Sequence, residues 1–269
     1  MEYFKLNNTF RIPKVGMGTN TFGKENNQYD GALNMDIEPY KLAYTNGYRL
    51  FDTAKGYRNE KVLHAFIKQE KINRSELIIQ TKISYKNVDI NDEYKVKEMI
   101  EESINYFLGY VDIYFIHHPS TDEENLILWK YLIEYYKTGH IKALGVSNFS
   151  VEQINYLIEN TGFKPQINQI VSNNSNWNHS LIFDLQKMDI LPQAWSPLHV
   201  DEAYISMIEP IASKYKKTWA QVLLKAQVSR YVSVIPKSHN NLRQQENIDI
   251  FDFQLTHEEI NTILNIINK

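Results

Sequence analysis

The chain has 269 residues, 43% of them hydrophobic, with 23% charged side chains and a net charge of −3, which argues against an electrostatic grip on nucleic acid, since that needs a basic face. It contains no cysteine, which excludes disulfides, thiolate metal sites and a thiol nucleophile and fits a reducing cytosol. No stretch approaches the ~20 apolar residues of a membrane span, and Met1 to Lys5 mixes acid and base ahead of any long apolar run, so the expectation is a cytoplasmic monomer without a signal peptide.

Residues 3–13 alternate about Asn7-Asn8, the pattern of an N-terminal β-hairpin. Lys14-Val15-Gly16-Met17-Gly18-Thr19 then reads as a short first strand running into a loop. Its glycines invite a dinucleotide fingerprint, but the next glycine is Gly23, so the third position of G-x-G-x-x-G is not filled. Close backbone approach at a strand end is the better reading. The apolar run 48–51 is a second strand ending on Asp52.

From here helices and strands alternate. Helices are expected over 37–45 and 59–69, then a strand over 77–82 and a long helix over 91–108. That helix carries Val96, Met99, Ile100, Ile104, Phe107 and Leu108 on one face, the spacing of a core-facing stripe. Strand 111–116, helix 125–137 and strand 141–146 follow. Ser150 and Gln153 form a capping box that opens another helix. Next come strand 166–170, a helix near 181–187, strand 190–194, a helical region over 205–228 and strand 232–235. A last helix starts at the Thr256/Glu259 box, with Ile260, Ile263, Leu264 and Ile267 on one side. The Asn-rich stretch 172–178 is a loop too short to divide the chain. Eight strand–helix repeats without a composition break predict one α/β domain over 1–269, a (β/α)8 TIM barrel behind an N-terminal β-hairpin. The apolar strands fit a parallel sheet covered on both faces.

The unusual polar residues fall at the ends of these strands. Asp52 ends the second, Lys82 the third and His117 the fourth. Ser147-Asn148 ends the fifth, Gln169 lies near the end of the sixth, Trp195-Ser196 ends the seventh and Lys237-Ser238 follows the eighth. In a barrel these ends share one face, where the active sites of this architecture lie. Each has an ordinary explanation alone: Asp as a cap, Lys as a solvated end, His as a satisfied loop residue, Trp as core. The common register is what those explanations do not supply.

The segment Gly47-Tyr48-Arg49-Leu50-Phe51-Asp52-Thr53-Ala54-Lys55-Gly56-Tyr57-Arg58-Asn59-Glu60 resembles the signature of the aldo-keto reductase family. Val111-Asp112-Ile113-Tyr114-Phe115-Ile116-His117-His118-Pro119 is similar to that family's fourth strand, and Gly139 to Phe149 to its fifth. Ile235-Pro236-Lys237-Ser238, with Arg243 and Glu246-Asn247, resembles its final cofactor segment, so the likeness runs in order along almost the whole chain.

The resemblance implies catalytic roles for Asp52, Tyr57, Lys82 and His117. Hydride addition to a carbonyl leaves an alkoxide that needs a proton donor. A tyrosine, with an ordinary pKa of about 10, would be that donor, and an ammonium some 4 Å away would draw its pKa down before desolvation opposes it. Lys82 would be that cation, Asp52 its anchor, and His117, two residues before Pro119, would orient the substrate oxygen. The resemblance further implies that Ser147, Asn148 and Gln169 hold the nicotinamide carboxamide and that Trp195 stacks on its ring. Thr19, Asp52, Ser196 and Leu198 join the cofactor contacts. Lys237, Ser238 and Arg243 would meet an adenosine 2′-phosphate, with Glu246 and Asn247 near the adenine, so NADPH is expected over NADH.

Asn20, Tyr57, His117 and His118 would line the substrate pocket. Many family members place tryptophan at the position of Asn20 and a Glu-x-His-Pro pattern after Gln169. The chain is also expected to be a short, bacterial-type member without the long C-terminal loop. These departures predict an open, polar pocket for small or hydrophilic aldehydes and ketones rather than steroids. Neighbouring strand residues point to opposite faces, so His117 and His118 are expected not to share a metal, and no metal site is expected elsewhere. The alternatives are a cofactor-binding regulatory or scaffold protein on the same barrel, and a hydrolase needing two acids at one bond.

Overall fold

The computed structural model of the protein describes residues 2–6 and 10–265. Strands β1 (Tyr3–Lys5) and β2 (Arg11–Pro13) pair antiparallel, Phe4 opposite Ile12, as the expected hairpin. Its turn at Asn7-Asn8 lies outside the described residues. The Phe4 ring sits 4.3 Å from that of Tyr231, so the hairpin packs at the end where the barrel strands begin.

The barrel strands are β3 (Met17–Gly18), β4 (Leu50–Asp52), β5 (Ile78–Ile83), β6 (Val111–Ile116), β7 (Ile141–Ser147), β8 (Ile167–Val171), β9 (Leu191–Trp195) and β10 (Ser233–Val234). They pair in parallel in chain order. The two edges then meet: Val15 bridges Val234, the Gly16 N–H donates to the Val234 carbonyl at 2.8 Å, and the Gly18 N–H donates to the Pro236 carbonyl at 3.0 Å. Both glycines sit where a Cβ would crowd a neighbour, Gly18 at this seam. A Cβ on Gly16 would lie 2.6 Å from Leu50 Cδ2, and one on Gly18 would lie 2.9 Å from the Ile235 carbonyl oxygen.

An outer ring of helices covers the sheet: α1 (Glu38–Thr45), α2 (Glu60–Gln69), α3 (Glu93–Tyr106), α4 (Asp122–Lys137), α5 (Val151–Thr161), α6 (His179–Lys187), α7 (Glu202–Lys214), α8 (Trp219–Ser229), α9 (Asn241–Ile248) and α10 (His257–Asn265). With both faces covered, every residue of β6 is buried. Capping boxes at Thr121/Glu124, Ser150/Gln153 and Thr218/Gln221 satisfy the exposed amides that open α4, α5 and α8.

Three departures from the sequence expectations have local causes. The stripe of α3 ends before Leu108, which is 38% exposed and takes a left-handed backbone (φ 61) outside the helix. The region 205–228 is two helices, α7 and α8, separated at Lys216 in left-handed conformation (φ 55) and restarted by the Thr218 cap. α9 follows the eighth strand where only cofactor contacts are expected, opened by Asn240 capping the Arg243 N–H. In α10, Ile263 and Leu264 are buried and Ile260 half-buried, while Ile267 lies outside the described residues.

Candidate active site

The sheet register brings the polar strand ends together. Asp52 pairs laterally with Gln80, and Gln169 with Gln193, so these four point into the barrel on neighbouring strands. Lys82 lies two residues beyond Gln80 on the same face of β5 and is fully buried. A single turn of 3-10 helix, Lys55–Tyr57, turns the chain after β4 and lays the half-buried Tyr57 ring over the Lys82 ammonium, 4.8 Å from the ring centre.

Lys82 Nζ donates to Asp52 Oδ1 at 2.6 Å, to the Thr53 carbonyl at 2.9 Å and to Tyr57 Oη at 3.3 Å. An ammonium has three hydrogens and no lone pair. All three are therefore engaged, and Tyr57 can only accept from Lys82. The phenol's own hydrogen stays available on the cavity side. The His117 and Tyr57 rings stand nearly perpendicular, 84° apart, with centroids 5.4 Å apart.

The expected downward pull on the phenol is not the net effect. Burial, reinforced by the negative charge of Asp52, holds the Tyr57 phenol well above its usual range. At 2.6 Å the carboxylate largely cancels the ammonium, so desolvation prevails. Burial likewise lowers Lys82, against the attraction of Asp52. His117 is pushed down to about 2 by burial, with Lys82, His118 and Lys86 adding to it, so the imidazole is neutral and keeps one N–H to donate.

The opposite-face expectation for the histidines fails. β6 ends at Ile116, so strand alternation no longer applies, and the His117 and His118 rings stack with centroids 4.1 Å apart and planes 13° apart. Among the described residues no cluster of three His, Asp or Glu side chains could hold a metal ion. No helix among them is long and apolar enough to cross a membrane.

A cavity of about 320 Å³ opens at these strand ends; Thr19, Asn20, Asp52, Tyr57, His117 and His118 line it, as do Ser147, Asn148, Gln169, Trp195 and Ser196. Thr19 is fixed by donating to the Asp52 carbonyl at 2.7 Å, and the Trp195 indole N–H donates to Asn148 Oδ1 at 3.0 Å. Asn148 and Ser196 take left-handed backbone (φ 61 and 48) where β7 and β9 end, a local strain concentrated at this rim. Asn20 Oδ1 is buried and has no hydrogen-bond partner among the described residues.

Lys237 lines this cavity and also a second one of about 810 Å³, which Leu198, Ser238, Arg243, Glu246 and Asn247 line too. Neither Lys237 nor Arg243 forms an ion pair with a described residue, and they flank the start of α9, whose first amides favour an anion. Two unpaired cations at one end and amide and indole groups at the other suit a phosphorylated dinucleotide lying across both cavities. Trp219 and His239 line the larger one without any motif signal.

Gln80 and Gln193 also stand outside every motif. The only hint is periodicity: each lies two residues before a site residue, Lys82 or Trp195, in an otherwise apolar strand. Both are fully buried, and Gln80 Nε2 donates to Asp52 Oδ1 at 2.6 Å.

The Aldo/keto reductase family model matches residues 14–268. The glyoxal reductase of Bacillus subtilis (strain 168) is 35% identical over 260 residues, covering 96% of this chain and 90% of that protein. Methylglyoxal reductase DkgA of Escherichia coli (strain K12) is 32% identical over 265 residues, covering 96% of this chain and 91% of that one. Among solved structures, the Bombyx mori aldo-keto reductase in complex with NADP matches with a TM-score of 0.83 at 30% identity, over 99% of this chain and 92% of that one.

Proposed function

The chain belongs to the aldo/keto reductase family and is an NADP(H)-dependent oxidoreductase acting on small carbonyl compounds; within that activity we propose that Tyr57 donates the proton, supported by Lys82 and Asp52, with His117 orienting the carbonyl. A bound reduced nicotinamide supplies the hydride. The observation that carries the reading is the saturation of Lys82: its third hydrogen is directed at Tyr57 Oη, so the phenol's hydrogen faces the cavity. The proton passes from the phenol to the nascent alkoxide, and the ammonium at 3.3 Å then faces a phenolate whose charge it stabilises. Neutral His117 donates its N–H to the same substrate oxygen. The regulatory or scaffold alternative is not supported, since the relatives are named as reductases.

Ser147, Asn148, Gln169 and Trp195 are read as the nicotinamide subsite, with Thr19, Ser196 and Leu198 beside it. Lys237, Ser238 and Arg243 are read as the 2′-phosphate cradle, with Glu246 and Asn247 toward the adenine. The unpaired cations support a preference for NADPH over NADH, because a dianionic phosphate gains from them what a ribose hydroxyl does not. Initial rates with the two cofactors test it, and equal use of NADH removes the preference.

The substrate is proposed to be a short, polar aldehyde or ketone of the α-dicarbonyl kind. The small cavity and the relatives named for glyoxal and methylglyoxal support this choice. NADPH oxidation by the purified protein against methylglyoxal, glyoxal, a long aliphatic aldehyde and a steroid ketone tests the class, with Tyr57→Phe as control. Best catalytic efficiency on the steroid rejects the substrate class, and full turnover by the variant rejects Tyr57. We also propose one domain over 1–269 and a cytoplasmic monomer without nucleic-acid partners, supported by the net charge of −3 and the lack of cysteine. Gel filtration and limited proteolysis test the first two points.

A further inference from the structure

Below the site lies a closed polar layer inside the barrel. Ionised Asp52 can only accept hydrogen bonds, so each glutamine touching it must present its nitrogen. Gln80 Nε2 reaches Asp52 Oδ1 at 2.6 Å and Gln169 Nε2 reaches it at 2.9 Å. The second hydrogen of each amide then meets Gln193 Oε1, at 2.7 Å in both cases. That uses both lone pairs of the Gln193 oxygen and turns its nitrogen toward Gln80 Oε1 at 3.2 Å and Ser233 Oγ at 3.3 Å. No amide here can flip without setting oxygen against oxygen.

One acceptor is left over. Gln169 Oε1 has no partner among the described residues, and Gln169 lines the smaller cavity. We infer that Gln80 and Gln193 are positioning residues that hold Asp52 under Lys82 and lock the Gln169 carbonyl toward the carboxamide of the cofactor. The two glutamines do different work. Gln80 serves the acid pair, because it donates directly to Asp52. Gln193 serves the cofactor end, because it is the acceptor that orients Gln169. The inference rests on the reading of Gln169 as a carboxamide partner.

The test measures NADPH Kd by fluorescence titration, steady-state kcat and KM with methylglyoxal, and Tm, for wild type, Gln80→Leu, Gln193→Leu and Gln193→Glu. Gln193→Leu removes the orienting acceptor and is expected to raise NADPH Kd roughly three- to tenfold, the worth of one hydrogen bond. Gln193→Glu, kept as the neutral acid by full burial beside Asp52, retains an accepting oxygen for both amides and an O–H to donate to Gln80 Oε1; it is expected to hold NADPH Kd within about twofold of wild type, which also guards against a folding defect in the leucine variant. Gln80→Leu is expected to lower kcat about tenfold with NADPH Kd unchanged. A purely structural role would lower Tm in all three and leave no such division between Kd and kcat. Wild-type NADPH Kd and kcat in folded Gln193→Leu and Gln80→Leu, or equal losses in the leucine and glutamate variants, would overturn the inference. Failure of the wild type itself to bind NADPH would overturn the underlying reading instead.

Discussion

Replacing Lys82 by methionine removes the buried ammonium and keeps an unbranched side chain of similar length. Lys82 Nζ stands 3.3 Å from Tyr57 Oη, and a full charge on the phenolate would gain about 5 kcal/mol from it at an effective dielectric of ~20. With about half of that charge developed in the transition state, some 2.5 kcal/mol is realised there, and its loss lowers kcat about a hundredfold. The ammonium is desolvated both before and after proton transfer, so its burial cost does not offset the difference. Stability falls as well, because Asp52 loses its partner at 2.6 Å. A buried carboxylate left unpaired costs about 3–5 kcal/mol, and the donors on Gln80 and Gln169 place this case near 3 kcal/mol. The assay is NADPH oxidation at saturating NADPH and methylglyoxal, beside urea unfolding of the same preparation. A folded Lys82→Met variant whose kcat stays within tenfold of wild type would refute the assignment.

Tyr57→Phe removes the donor itself and is expected to cost 10²–10⁴ in kcat, with NADPH Kd unchanged in a fluorescence titration. His117 gives a stability signature that equilibrium unfolding across pH reads directly. Its imidazole takes a proton near 6.5 in the unfolded chain and only near about 2 in the fold, so the unfolded state binds more protons between these values. Stability therefore falls as pH drops below 6.5, by about 1.4 kcal/mol per pH unit from this group, and His117→Gln is expected to flatten that slope. Lys237→Ala with Arg243→Ala is expected to raise KM for NADPH at least tenfold and leave KM for NADH within twofold, as kinetics with both cofactors would show. Asn20→Trp, which fills the cavity with an apolar ring, is expected to shift kcat/KM from methylglyoxal toward a longer aliphatic aldehyde.

Much of this protein is determined by local chemistry that a linear reading reaches. Apolar runs of strand length, helical stripes such as Val96, Ile100 and Ile104, and boxes such as Ser150/Gln153 mark the repeat, and the repeat implies the barrel. Once the barrel is assumed, Asp52, Tyr57, Lys82 and His117 converge because they close consecutive strands. What the chain order does not carry is the state of those groups. Tyr57 looks activated when paired with Lys82 alone, but Asp52 at 2.6 Å from the same ammonium and the exclusion of water reverse the sign of the shift on the phenol. His117 and His118 alternate only if the strand continues, and it stops one residue earlier. Gln80, Gln169 and Gln193 lie 113 residues apart from first to last and form one layer solely because eight strands curl and close. Electrostatics and hydrogen-bond direction depend on distances and burial between residues remote in sequence, so tertiary closure alone decided them.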